Sequence, residues 1–158
     1  MDKKRNNHIE KRVDDYIHSS GVQYQIEYHN ADESVLRFIA QFTFWNDDKN
    51  DIIYHQFAGG YCFYFAHILK LAFGRGEPKL AAPFGHIVWE DENGVAYDIG
   101  GVCYDYEVLI PLDALGEGIE DFMHVPGKNG YNTPEDVKRI MDTYTQKQHS
   151  KEEKNESL

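Results

Sequence analysis

The run Phe84-Gly85-His86-Ile87-Val88-Trp89-Glu90-Asp91-Glu92-Asn93-Gly94-Val95-Ala96-Tyr97-Asp98-Ile99 carries the clearest local signal in the chain. Two strand-like stretches, Phe84 to Glu90 and Val95 to Ile99, flank the polar turn Asp91-Glu92-Asn93-Gly94 and predict a β-hairpin. Glycine in the third loop position fits a type I turn followed by a left-handed residue, a three-residue loop with a bulge. In that register Asp91 faces Val95, Trp89 faces Tyr97 and Ile87 faces Ile99, which makes one side of the hairpin continuously apolar and fit for a core. His86, Val88 and Asp98 share the other side, and His86 and Asp98 become diagonal neighbours within reach of each other. The competing two-residue Asn93-Gly94 turn shifts the register by one, breaks the apolar face and puts Asp98 on the face opposite His86.

Upstream of the hairpin, the apolar run from Gly59-Gly60-Tyr61-Cys62 to Phe73, closed by Gly74, has apolar residues on nearly every side and reads as a buried central helix. Gly74 to Pro83 reads as a connector rich in Gly and Pro. A further strand is expected over Cys103 to Leu109, then irregular chain from Pro111 to Pro126 with a short helix near Leu112 to Leu115. Towards the N-terminus, Ile9, Val13, Tyr16 and Ile17 recur at helical spacing and Gly21 closes that segment. Val22, Tyr24, Ile26 and Tyr28 alternate with polar neighbours, which favours a short strand in competition with helix. Val35, Leu36, Ile39, Phe42 and Thr43 form one stripe of a helix from about Asp32 to Trp45, with Asn30 or Asp32 as its cap. Thr133-Pro134-Glu135-Asp136 opens a final amphipathic helix through Val137, Ile140, Met141 and Tyr144. The expected architecture is an α+β domain over residues 1–146: a helix bearing Cys62 packs on a small antiparallel sheet with helices flanking it at both ends. A disordered polar tail, 147–158, follows it.

With 16 basic against 27 acidic residues and a net charge of −11, attraction to nucleic acid or to anionic membrane surfaces is disfavoured. No segment approaches membrane-spanning length, and the polar start Met1 to His8 has no signal-peptide character, so a soluble, cytoplasmic protein is expected. Two cysteines, Cys62 and Cys103, are too few for a disulfide scaffold, and the histidines show no His-Glu-x-x-His spacing; neither a metal nor another cofactor is called for. The N-terminal basic cluster is expected to be a solvated end.

A cysteine becomes a nucleophile when its thiolate is stabilised, and a helix N-terminus does this through its partial positive charge and free backbone N–H groups. Cys62 stands at such a position, after two glycines that permit a sharp turn and close approach of a ligand; the plain alternative is a small apolar residue in a buried helix. His86 then either takes the thiol proton or sits beside the sulfur as an imidazolium, and Asp98 holds the ring. The chemistry is acyl transfer, with the Cys62 backbone N–H and the Gln56 side-chain amide as donors to an oxyanion. His55 is the stand-in for His86 if the hairpin is misread, His67 is expected to serve packing or surface, and Cys103 is expected either in the core or lining the cleft.

The order Cys62, His86, Asp98, with a glutamine six residues before the nucleophile, resembles the papain-like and transglutaminase-like cysteine enzymes over roughly residues 56 to 101. The stretch Gly59-Gly60-Tyr61-Cys62-Phe63 lacks the Cys-Gly-Ser-Cys-Trp signature of papain-like proteases proper, and the short interval between His86 and Asp98 looks closer to the compact transglutaminase-like and cell-wall-amidase-like branches. The resemblance implies amide chemistry on a protein or peptide: proteolysis, amide cleavage, deamidation or acyl transfer. The alternatives to an enzyme are a protein-binding or inhibitory module on the same scaffold, acting through an acidic, tyrosine-rich surface, and a purely structural domain.

Overall fold

The structure, a computed structural model, describes residues 3–46, 54, 57–58 and 61–116. The expected helix from Thr133, the tail 147–158 and the far end of the domain assigned to residues 1–146 lie outside the described residues. Within them the chain is α+β: helices α1 (Lys3–Ile17), α2 (Ser20–His29), α3 (Glu33–Asn46) and α4 (Cys62–Phe73) precede strands β1 (Glu77–Ala82), β2 (His86–Glu90), β3 (Ala96–Asp98), β4 (Gly101–Val102) and β5 (Val108–Pro111). The strands form one antiparallel sheet in the order β4-β3-β2-β1-β5.

Helix α1 buries Ile9, Val13 and Ile17, one residue per turn, and lies against α3. It ends at Ile17, earlier than the expected stop at Gly21, because Ser19 adopts an extended backbone and the Gln23 side chain donates to the Ile17 carbonyl at 2.7 Å. Gly21 instead sits inside α2, and the strand expected over Val22 to Tyr28 is this helix. The period-two set Val22, Tyr24, Ile26, Tyr28 contains two i, i+4 pairs, and the helix uses them. Val22 is buried with Ile26 packed partly against the core, while Tyr24 and Tyr28 stack outside with ring centroids 4.8 Å apart. Asn30 closes α2 at φ 55°, and Asp32 caps α3 by accepting the Ser34 N–H at 2.9 Å. The expected stripe Val35, Leu36, Ile39 and Phe42 of α3 is buried.

Helix α4 is buried from Cys62 through Ala66 and at Ile68 and Leu69, and ends at Gly74, φ 64°, whose N–H bonds the Lys70 carbonyl. It packs on β2, β1 and β3. The connector expected from Gly74 to Pro83 contains a full strand, β1, paired on both sides. Pro78 masks it in the sequence, yet is tolerated because β5 pairs only from Lys79 to Ala82, beyond the proline. Gly76 is obligatory here: at φ 69° it lies against Trp89, and an added Cβ would come within 2.5 Å of the Glu90 carbonyl.

The hairpin takes the bulged register, with Trp89 opposite Tyr97 and Glu90 opposite Ala96. Asp91 N–H donates to the Val95 carbonyl, Gly94 N–H to the Asp91 carbonyl, and Gly94 holds φ 81°. The buried Asp91 carboxylate accepts the Asn93 and Val95 N–H groups, both at 2.9 Å, and so fixes the loop from within. Ile87, Trp89, Tyr97 and Ile99 join the main core beneath α4. Of the strand expected over Cys103 to Leu109 only Val108 and Leu109 fall in a strand, β5, and the residues before them are a crossover: β4 and β5 are opposite edges of the sheet, and the chain between them passes over the face that α4 leaves uncovered. Ala81, Val88 and Ala96 are small enough there to let Cys103, Tyr106 and Leu109 pack down, and Glu107 N–H docks on the Ala82 carbonyl. The short helix expected near Leu112 is a single 3₁₀ turn, residues 112–116. Among the described residues no helix is long and apolar enough to cross a membrane.

Candidate active site

Cys62 is the first residue of α4, as its apolar sequence implied. The Tyr61 carbonyl accepts the N–H groups of Tyr64 and Phe65, so the turn that opens the helix is formed at Cys62 itself. Just upstream, Phe57 is wedged between Phe42 of α3 and Phe65 of α4, with centroids 5.5 and 5.6 Å away. Cys62 itself is 7% exposed.

His86 opens β2 and Asp98 ends β3, so the antiparallel pairing brings both to the end of the hairpin remote from its turn. The diagonal contact expected from the register is present: His86 Nε2 lies 2.9 Å from Asp98 Oδ2. Asp98 is itself held, since its Oδ1 accepts the Gly100 N–H at 2.8 Å. Cys62 is close enough to bear on the His86 ring as well. The Asp98 hydrogen bond, and after it the Cys62 hydrogen bond, push the His86 pKa from 6.5 up to about 10 against the opposing effect of burial. His86 is therefore an imidazolium at neutral pH.

Cys62, His86 and Asp98 line one cavity of about 470 Å³. Ala58, Phe84 and Gly85 form part of its wall, and the crossover contributes Cys103 and Asp105. Cys103 thus lines the cleft, one of the two places expected for it. Burial, and then the charges of Asp98 and Asp105, push its thiol pKa up while the Asp105 backbone N–H opposes them, so Cys103 stays protonated. Asp98 also bears on Tyr16, whose pKa is raised first by burial and then by that carboxylate. His67, set aside on sequence, packs: its Nδ1 lies 2.8 Å from the Phe63 carbonyl, its ring lies 4.3 Å from that of Phe63, and burial lowers its pKa. Gln56 and His55 lie outside the described residues. Among the described residues no three of His, Cys, Asp and Glu come together as a metal site.

Asp105 and Phe84 are site residues that sequence reasoning did not name. Phe84 adjoins His86 and could have been found by proximity, but Asp105 enters only because the crossover runs over the sheet. No family model, curated protein or solved structure matches the chain. The local geometry is therefore what speaks for function.

Proposed function

We propose that this protein is a cysteine-dependent amide hydrolase or acyl transferase of the papain-like and transglutaminase-like type, with Cys62 as nucleophile, His86 as proton carrier and Asp98 as orienter. The observation that carries this is the convergence of the three side chains on one cavity, with His86 bridged to Asp98 at 2.9 Å. In the first half-reaction the Cys62 thiolate adds to the amide carbonyl carbon, and the negative charge moves to oxygen, where the Cys62 N–H at the helix start can stabilise it. The His86 imidazolium then gives its proton to the leaving nitrogen, the C–N bond breaks and a thioester remains. Water, or an acceptor amine in a transfer, attacks the thioester; neutral His86 takes the attacker's proton and the thiolate leaves. A reducing, cytoplasmic setting suits two free thiols of which one is the nucleophile.

Iodoacetamide alkylation, mapped separately on Cys62 and Cys103 by mass spectrometry, tests this. At pH 7 Cys62 should react at least tenfold faster than Cys103, and His86→Ala should slow Cys62 by about tenfold or more, the loss of thiolate that a one-unit rise in thiol pKa represents. Equal rates for the two thiols, unchanged by His86→Ala, would defeat the proposal. A second reading, a protein-binding module, draws on the exposed aromatic row Tyr28, Tyr24, His29 and Tyr104, whose successive ring centroids are 4.8, 5.5 and 4.8 Å apart. Full biological activity of the Cys62→Ala protein would favour it.

A further inference from the structure

We infer that the cleft selects amides bearing a positive charge, an amino or guanidino group, beside the carbonyl that Cys62 attacks, and that Asp105 is the residue that binds this group. The inference rests on the proposed function and specifies its substrate class.

The charges around the cavity are unequal in their availability. His86 is matched by Asp98, and both oxygens of Asp98 are occupied, Oδ2 by His86 and Oδ1 by the Gly100 N–H. Asp105 lines the same cavity and is exposed, and among the described residues it forms no ion pair and no Lys or Arg lines the cavity with it. Its charge reaches inwards, since the Cys103 thiol beside it feels both Asp105 and Asp98. An anionic substrate group would face Asp105 without a compensating cation, whereas a cationic group gives that carboxylate its partner in a partly enclosed site, where a charge pair is worth more than in open water. The wall suits such a group: Phe84 lines the cavity at 70% exposure, offering a ring face for an alkyl stem or for the cation itself. The net charge of −11 draws cationic substrates towards the molecule. The positive group can come from a Lys or Arg side chain or from a chain-terminal α-amine, and the two place it differently relative to the carbonyl.

The test uses three chloromethyl ketones on the full chain, N-capped lysine, N-capped norleucine and norleucine with a free α-amine, and a fourth, N-capped glutamate, on the Asp105→Lys protein. In each the Cys62 sulfur bonds to the methylene carbon and chloride leaves, so the thioether is counted by intact mass. At low salt one of the two cationic probes should label Cys62 about tenfold faster than capped norleucine, a ratio within reach of one partly screened ion pair. The faster of the two identifies side chain or α-amine as the source. Asp105→Asn should bring that ratio to about one. Asp105→Lys should reverse it, favouring a glutamate probe over norleucine. In 1 M salt, where screening shortens to about 3 Å, the wild-type ratio should shrink. Equal labelling by all three probes in a protein whose Cys62 still depends on His86 in the iodoacetamide assay overturns the charge selection and leaves the proposed function standing; so does a preference that survives Asp105→Asn. Cys62 alkylation that ignores His86 overturns both.

Discussion

Replacing Asp98 with asparagine keeps the shape of the side chain and removes its charge, which isolates what the carboxylate does to His86. In the native site the imidazole pKa stands at about 10 against an ordinary 6.5. That rise favours the imidazolium. The Asp98 hydrogen bond is its largest cause, ahead of Cys62. A hydrogen bond between charged partners is worth about 1.5–3 kcal/mol, so Asp98→Asn should lower the His86 pKa by about one to two pH units. An NMR titration of the His86 ring carbons from pH 5 to 11, assigned with His86→Gln, measures this directly. The sign of the stability effect follows from the raised pKa. Binding of the proton favours the folded state, so this contribution is complete below 6.5 and is lost as pH climbs towards about 10. Urea unfolding should therefore show wild-type stability falling across that window, with the fall shallower in Asp98→Asn and this component absent in His86→Gln. A wild-type His86 that titrates near 6.5, or an Asp98→Asn protein with the wild-type titration, would refute the reasoning.

The remaining predictions concern the frame that holds the site. Gly76→Ala should cost roughly 2–4 kcal/mol, since a Cβ there meets both a positive φ and the Glu90 carbonyl at 2.5 Å, whereas Gly74→Ala, at φ 64° with nothing within 4 Å, should cost about 1 kcal/mol. Thermal melts of the two proteins check this, and equal losses would refute the close approach. Tyr97→Phe should cost about 1–2 kcal/mol in urea unfolding, because the Tyr97 hydroxyl accepts the Asp32 N–H at 2.8 Å and that donor would lose its partner. Asp91→Ala should cost about 3 kcal/mol through the loss of its two backbone N–H bonds. By loosening the register it should also slow Cys62 alkylation, and an unchanged alkylation rate would show that the hairpin does not depend on this carboxylate.

How much of this could be read in advance differs from element to element. The hairpin register was legible because alternate apolar residues and a glycine at the left-handed loop position are local facts, and they agree on one pairing. The position of Cys62 at the start of a helix was legible for a similar reason: a long apolar run follows it and a glycine ends that run. Helix α2 was misread because a short period-two pattern also satisfies i, i+4 spacing, and only burial distinguishes them. Strand β1 was hidden by Pro78 and its neighbouring glycines; its pairing with both β2 and β5 is a long-range fact.

The sequence by itself determined the α+β class, the place of Cys62 at a helix N-terminus and the shared face of His86 and Asp98, because each follows from periodicity or turn chemistry over a few neighbouring residues. Only the tertiary structure decided that these two elements meet at one cavity, that His86 carries a charge at neutral pH, and that Cys103 and Asp105 enter the cleft. Those outcomes depend on distances between residues far apart in the chain, on burial, and on a crossover permitted by small side chains at Ala81, Val88 and Ala96 on separate strands.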